Sequence, residues 1–192
     1  MEDLHKIWSH RWVSPKAKEG MSNINRHGLI AVEDIPAGEA VIVYGGVIIH
    51  GDDIAKFRQM FGDYDLPIDD NFSIAPTSKD EITKTGSVNH SCEPTLGWKN
   101  NPMLVTIRDV KAGEELAPDY AMHGGYPAEM TCNCGSASCR QVIRPDDWKN
   151  PALRQKYGQW FLPFLKEKIA IEQATFEVNP ASVQQIPTDV EP

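Results

Sequence analysis

Three of the four cysteines in this 192-residue chain, Cys132, Cys134 and Cys139, fall in the single stretch TCNCGSASCR. Thiolates are favoured zinc ligands, and a closed structural site takes four ligands in a tetrahedron. Gly135 lets the backbone curl back after Cys132 and Cys134, so that Cys139 returns a third thiol. The fourth ligand has to come from elsewhere: from Cys92, or from one of His5, His10, His27, His50, His90 and His123. The alternative is a set of free or buried thiols. A lone cysteine fits that reading; three in one glycine-containing turn do not. The spacing differs from the C-x-x-C pair of a simple zinc ribbon.

Two other stretches carry reactive side chains. In SVNHSCEPTLGW, Asn89, His90, Ser91 and Cys92 follow one another. Polar side chains this dense mark a loop whose hydrogen bonds are supplied by side chains. His90 taken alone reads more readily as a satisfied structural histidine than as a catalyst. In GEELAPDYAMHGG, Asp119 and Tyr120 follow a strand signal and precede Gly124-Gly125. That order places a site at a strand end, where a lone tyrosine would otherwise be core.

The bulk numbers narrow the setting. The length suffices for one domain with its own core, and 41% apolar with 24% charged residues is ordinary for a soluble globular protein. A net charge of -8 argues against sequence-independent nucleic-acid binding and suits a basic partner. MEDLHKIWSH has no apolar signal core. The apolar run AVIVYGGVII falls short of the roughly 20 residues of a membrane span. The expectation is a soluble intracellular protein without membrane contact, in a compartment where thiols stay reduced. With no basic cluster resembling a nuclear signal, the cytoplasm is expected, the nucleus staying open for a eukaryotic source.

Elements must position these groups. GLIAVE, EAVIVYGGVII, NFSIAP and PMLVTIRDV are short, β-branched and bounded by turn residues, which predicts strands. DIPAGE at 34–39 recurs as DVKAGE at 109–114, predicting two similar strand-turn-strand units with Gly38 and Gly113 at positive φ. Ile54, Phe57 and Phe61 fall near helical spacing, with an N-cap expected at Asp52 or Asp53 and a stop at Gly62. Asp63, Asp65, Asp69 and Asp70 follow without a basic residue among them and read as a solvated acidic loop. After the cysteines, Asn150 as N-cap and Pro151 as first helical residue open an apolar stripe, Leu153, Tyr157, Phe161, Phe164 and Leu165, that Pro163 should kink or divide. EVNPASVQQIPTDVEP has no periodicity and is expected to be a disordered tail.

Taken in order, these stretches resemble the SET domain of protein-lysine methyltransferases followed by a post-SET zinc knuckle. NRHGLIAVEDIPAGEAVIVYGG resembles the opening motif, NHSCEP the central one, GEELAPDYA the closing one and CNCGSASCR the post-SET cysteines. DDWKNPALRQKYGQWF looks like the tail of short bacterial SET proteins. The likeness spans about residues 20 to 145, and four motifs in the family's order are far more specific than any one of them. It implies a mainly β fold of several small β-sheets, with a knot-like crossing of the NHSC segment and the segment leading to Tyr120, and short helices in the insert and at the C-terminus. The implied organisation is an N-terminal flank (1–20), a SET domain (21–125) with a variable insert at about 50–86, a zinc knuckle (126–145), a helical segment (146–176) and the tail (177–192).

The resemblance further implies that S-adenosyl-L-methionine is the methyl donor, held by Arg26, His27, Gly28 and Leu29 and by Asn89 and His90. It makes Tyr120 the catalytic tyrosine and Tyr44 its partner in the lysine channel, with Trp98 and Pro118 at channel positions linked to methyl count. It closes the zinc site with Cys92 beside Cys132, Cys134 and Cys139, as a structural Zn2+. The sequence departs from the family pattern at Arg26, where the first Gly of Gly-x-Gly is usual. It departs also at Val47 (usually acidic), Thr95 (usually Asn) and Pro118 (usually Phe or Tyr). Methyl transfer from a sulfonium is a direct displacement that requires alignment and a neutral lysine. The implied substrate is a lysine-containing basic protein or peptide, with the acidic insert shaping its groove; no direct nucleic-acid binding is expected. Two other readings are a non-catalytic SET-like module that binds a peptide or partner, and a zinc-stabilised structural protein. The latter leaves Asn89-His90 and Asp119-Tyr120 without a task.

Overall fold

The computed structural model describes residues 7–86, 88–126 and 128–178. In chain order the elements are β1 (Trp12–Val13), β2 (Ala17–Met21), β3 (His27–Ala31), β4 (Ala40–Val43), β5 (Val47–His50), α1 (Gly51–Phe61), β6 (Leu66–Pro67), β7 (Phe72–Ala75), α2 (Lys79–Thr85), β8 (Leu96–Asn100), β9 (Met103–Thr106), β10 (Met130–Thr131), β11 (Val142–Ile143), α3 (Pro151–Tyr157) and α4 (Pro163–Val178). The strands form four small antiparallel sheets: β1-β4-β9-β8, β2-β3, β5-β7-β6 and β10-β11. This is the mainly β architecture of several small sheets that the sequence motifs imply.

The core gathers where the largest sheet meets the C-terminal segment. Val41, Ile42, Leu96, Trp98 and Leu104 are buried there against Tyr157, Phe161, Leu162 and Leu165. The apolar stripe after residue 150 is therefore core, as its spacing predicts. It is carried by two helices. Asn150 Oδ1 accepts the Ala152 amide to cap α3, and Gly158 ends it. Pro163 is the first residue of α4, so the proline divides the stripe and does not merely bend it. Residues 179–192, most of the expected tail, lie outside the described residues.

The repeated hexapeptide folds into two turns that bond each other reciprocally. Asp34 Oδ1 accepts the Ala112 amide at 3.0 Å, and Asp109 Oδ1 accepts the Ala37 amide at 2.9 Å. Ile35 and Val110 exchange both backbone hydrogen bonds at 2.9 Å. Gly38 and Gly113 stand at φ +84° and +91°, the left-handed geometry the turns require.

In the insert, α1 starts earlier than the acidic residues suggest. Its N-cap is His50, whose Nδ1 accepts the Asp52 amide at 3.3 Å; Asp52 and Asp53 instead fill the first turn, where they complement the helix dipole. The acids that follow are not a uniformly solvated loop. The Asp65 side chain is 1% exposed and takes Arg58 Nε at 2.7 Å and Nη2 at 3.1 Å. Asp69 Oδ1 holds the amides of Asn71 and Phe72, and Asp70 pairs with Lys168. Arg58 lies before the acidic run and folds back on it, which a search within the run misses.

One buried carboxylate joins three distant segments. Asp119 is 0% exposed and accepts Arg140 Nη1 at 2.5 Å, Arg140 Nη2 at 2.8 Å, the Tyr157 hydroxyl at 2.6 Å and the Ala121 amide at 2.9 Å. Burial alone would raise its pKa; the Arg140 and Tyr157 hydrogen bonds reverse that and hold it below the usual carboxylate range. Removing the carboxylate charge leaves Arg140 with Asp147 as its remaining ion-pair partner, at 3.1 Å, and weakens the Tyr157 hydrogen bond. Asp119→Asn is expected to lower unfolding free energy by about 3 kcal/mol or more, read as an earlier midpoint in urea denaturation with an unchanged slope.

Candidate active site

A cavity of about 460 Å3 opens between the insert and the central sheet, and Tyr44, Trp98, Pro118 and Tyr120 all line it. The four residues expected at the channel are thus brought to one place. Tyr44 arrives there because the chain cannot continue β4 into β5. A Cβ at Gly45 would stand 1.9 Å from the His10 carbonyl oxygen, and one at Gly46 1.9 Å from that of Ala75. Two neighbouring backbones close on the glycine pair, and the single apolar run of the sequence becomes two strands in different sheets. The Tyr44 ring lies 5.5 Å from that of Trp98.

Tyr120 opens a short 3-10 turn, Tyr120–Met122, capped by Asp119 Oδ1. Its hydroxyl donates to the Val88 carbonyl at 2.7 Å. Burial pushes its pKa up to about 12, so the phenol stays protonated at neutral pH and its oxygen lone pairs are left for a donor in the cavity. The segment leading to Tyr120 runs alongside the NHSC segment. Ser91 N donates to the Pro118 carbonyl at 3.0 Å, Leu96 and Pro118 form a parallel bridge, and Tyr120 N donates to His90 Nδ1 at 3.1 Å. Thr95 serves this alignment: its hydroxyl donates to the Glu115 carbonyl at 3.1 Å and accepts the Ala117 amide at 2.9 Å.

His90 is a buried bridge between the tyrosine and the cysteines. Because Nδ1 accepts from the Tyr120 amide, Nε2 carries the proton and donates to Cys92 Sγ at 3.3 Å. Burial lowers its pKa to about 4, which keeps this neutral tautomer at ordinary pH.

The sulfurs of Cys92, Cys132, Cys134 and Cys139 all lie within 4.8 Å of one another. A tetrahedron of Zn–S bonds near 2.3 Å puts sulfurs about 3.8 Å apart, and Cys92 and Cys132 stand at 3.8 Å. Backbone amides of Arg140 and Gln141 point at Cys92 and Cys139 Sγ, each at 3.4 Å, as expected of donors to thiolates. The donor set therefore fits a structural Zn2+, and of the alternatives for the fourth ligand Cys92 is the one in place. Gly135 takes φ +68° in the connecting turn. Tyr120 and Met130 pack on the cysteine cluster, and Met130 also lines the cavity, so the knuckle supplies one wall of it.

The Arg26–Leu29 segment lies on the other side of Asn89. Asn89 Nδ2 donates to the His27 carbonyl and to Glu115 Oε1, both at 2.7 Å. Ser22 Oγ donates to the same carboxylate at 2.8 Å. A Cβ at Gly28 would meet Glu115 Oε1 at 2.3 Å and Ser22 Cβ at 2.9 Å, so any larger residue there displaces the carboxylate from this position. Arg26 adopts φ +45°, so it keeps the backbone turn of the glycine it replaces. Arg26 and His27 are exposed, Leu29 is buried, and none of them lines the tyrosine cavity.

Several site residues were not singled out by the sequence. His123 and Tyr126 complete the ring wall, their centroids 5.1 and 6.0 Å from that of Tyr120. Arg11 is buried over the Tyr44 ring at 5.2 Å and donates to Gly45 O, Thr85 Oγ1 and Tyr64 O. Arg58, likewise unmarked, ties the insert to the Gly125 carbonyl at 2.8 Å, while Asp63 and Asp65 of the acidic insert, which the sequence does mark, line the cavity too.

Comparison with known proteins agrees with this geometry. The family model of the SET domain matches residues 26–121. The histone-lysine N-methyltransferase trithorax of Drosophila virilis is 33% identical across 64% of this chain and 3% of its own length. An H3 lysine-4 specific histone-lysine N-methyltransferase of Mycosarcoma maydis is 31% identical across 73% of this chain and 10% of its own. The chain thus spans a tenth or less of the length of these relatives. Among solved structures, KRYPTONITE in complex with mCHH DNA, an H3(1-15) peptide and SAH superposes with a TM-score of 0.52 at 24% identity, covering 68% of this chain and 30% of that one. With the family model matching half of its residues, the chain belongs to the SET domain family.

Proposed function

We propose that this protein transfers a methyl group from S-adenosylmethionine to the side-chain amine of lysine in a basic protein or peptide. The observation that carries the reading is the cavity lined by Tyr44, Trp98 and Tyr120, with His90 bonded to the Tyr120 amide and Asn89 beside it in the chain. The relatives bear the same activity in their names, and the KRYPTONITE structure holds a peptide and SAH.

When bound, S-adenosylmethionine supplies a methyl group on a sulfonium. The residues around Asn89 fit such a group. The Glu115 carboxylate, steadied by Ser22 and Asn89, is an acceptor for its ammonium, and Gly28 keeps the approach free of a side chain. We assign Arg26 to Leu29, Asn89 and His90 to this face.

The chain's own residues prepare the amine. A lysine in water has a pKa of about 10.4 and is protonated. Desolvation among Tyr44, Trp98 and Tyr120 favours its neutral form. The Tyr120 hydroxyl, its proton committed to Val88, accepts an amine N–H and orients the nitrogen lone pair. With a pKa near 12 this tyrosine is not a base at neutral pH. The ring faces hold the alkyl stem and a methylammonium product by cation–π attraction. Asp63 lines the cavity with its side chain largely exposed and shares Arg58 with the buried Asp65, so it is the acid there that a basic peptide can reach.

Incubation with labelled S-adenosylmethionine and a protein mixture, or an H3(1-15) peptide, should label lysine; no transfer to any protein overturns the reading. Tyr120→Phe should reduce turnover on the order of a hundredfold while calorimetry still detects cofactor binding. Stripping zinc with a chelator, or Cys134→Ser, should abolish most transfer with the β circular-dichroism signal retained; undiminished turnover in zinc-free protein would uncouple the knuckle from the site. Asp63→Asn should raise KM for a basic peptide by roughly twofold to fivefold, the scale of one partly screened ion pair, and leave kcat unchanged.

A further inference from the structure

His123 lies three residues beyond Tyr120 and lines the same cavity. Its ring is fixed on several sides. The centroid stands 5.1 Å from that of Tyr120, and 6.1 Å from both Trp98 and Tyr126 in edge-on contacts. Nδ1 lies 2.6 Å from the Gly124 carbonyl oxygen, which can only accept, so Nδ1 carries the proton. Nε2 is then a bare lone pair, and among the described residues no hydrogen bond reaches it. Its partly buried ring lies among the rings of Tyr120, Trp98 and Tyr126. Burial lowers its pKa; the Gly124 carbonyl, Asp119 and Asp65 oppose this more weakly, so the imidazole is neutral at ordinary pH.

A neutral acceptor nitrogen in an aromatic cage has a specific chemical consequence. An unmodified lysine amine carries two N–H bonds, a monomethylated amine one, and a dimethylated amine none. The Tyr120 oxygen takes one of these bonds. Pro118, facing the same space, offers no donor or acceptor on its side chain. Resting on the methyl-transfer reading above, we infer that His123 is a specificity-determining residue whose Nε2 accepts an N–H of the substrate amine and thereby limits how many methyl groups are added. An amine that has lost its N–H bonds leaves this nitrogen buried without a partner, which disfavours further transfer.

The test compares wild-type protein with His123→Phe, which keeps a ring and removes the acceptor, and His123→Gln, which restores an acceptor. After reaction with a protein mixture, total hydrolysis and mass spectrometry give the ratio of trimethyllysine to monomethyllysine. His123→Phe should raise that ratio roughly tenfold, the worth of one hydrogen bond, and His123→Gln should keep the wild-type pattern. An unchanged ratio in His123→Phe, or the same rise in both variants, overturns the inference. A second measurement needs no transfer. In 15N-histidine-labelled wild-type protein with S-adenosylhomocysteine present, n-butylamine should move the His123 Nε2 resonance and butyltrimethylammonium, which has no N–H, should not. Equal responses to both, or none, overturn it as well. Absence of any methyl transfer by the wild type would sink the parent reading while the resonance data still decide the role of His123.

Discussion

The molecule is organised around a carboxylate that water never reaches. Asp119 faces a guanidinium from the zinc knuckle and a phenol from the first C-terminal helix, while its own backbone leads directly into Tyr120. An unpaired charge at such depth would cost several kcal/mol, so these segments must assemble together. Arg140 is placed by the cysteine turn that precedes it, and Tyr157 by α3 and the core beneath it. Tyr120 inherits its position from all of them. His90 adds a second tether, linking the Tyr120 amide to Cys92 and so to the cluster of four cysteines.

What was legible in the sequence shares a common property: it is local. Cys132, Cys134 and Cys139 announce themselves by spacing, the hexapeptide echo by repetition, and α3 by Asn150 and Pro151. Strand content follows from short β-branched runs. What was hidden depends on long-range partners. Asp65 reads as one acid among four, and only the return of Arg58 across a turn makes it buried. His123 and Tyr126 look like exit-loop residues until the insert closes against them. The short helix α2 was legible in part, since Ser78 and Glu81 stand at capping-box spacing. It lacks the apolar stripe that would have drawn notice, because Glu81 and Thr85 face inward to polar partners.

The departures from the family pattern resolve differently from one another. At Arg26 the backbone takes the left-handed turn that a glycine would give, and the side chain points to solvent, so the substitution alters charge at the surface while retaining the path of the chain. At Thr95 the hydroxyl has become a register pin between two segments. Pro118 keeps its carbonyl in service to Ser91 while removing any polar side chain from the cavity. His123, on the turn that follows, lines the same cavity with a polar ring.

The Tyr157 hydroxyl bears on how this domain can be handled as a unit. The recognisable family segment ends at residue 121, yet the phenol that donates to Asp119 comes from residue 157 and the core continues to Leu165. A fragment cut at the family boundary would keep Tyr44, Asn89 and Tyr120 but lose Arg140 and Tyr157, the side chains that hold the Asp119 carboxylate in the core. Grafting, truncation or domain exchange therefore has to treat the two C-terminal helices as part of the domain, inherited with it as one cooperative piece.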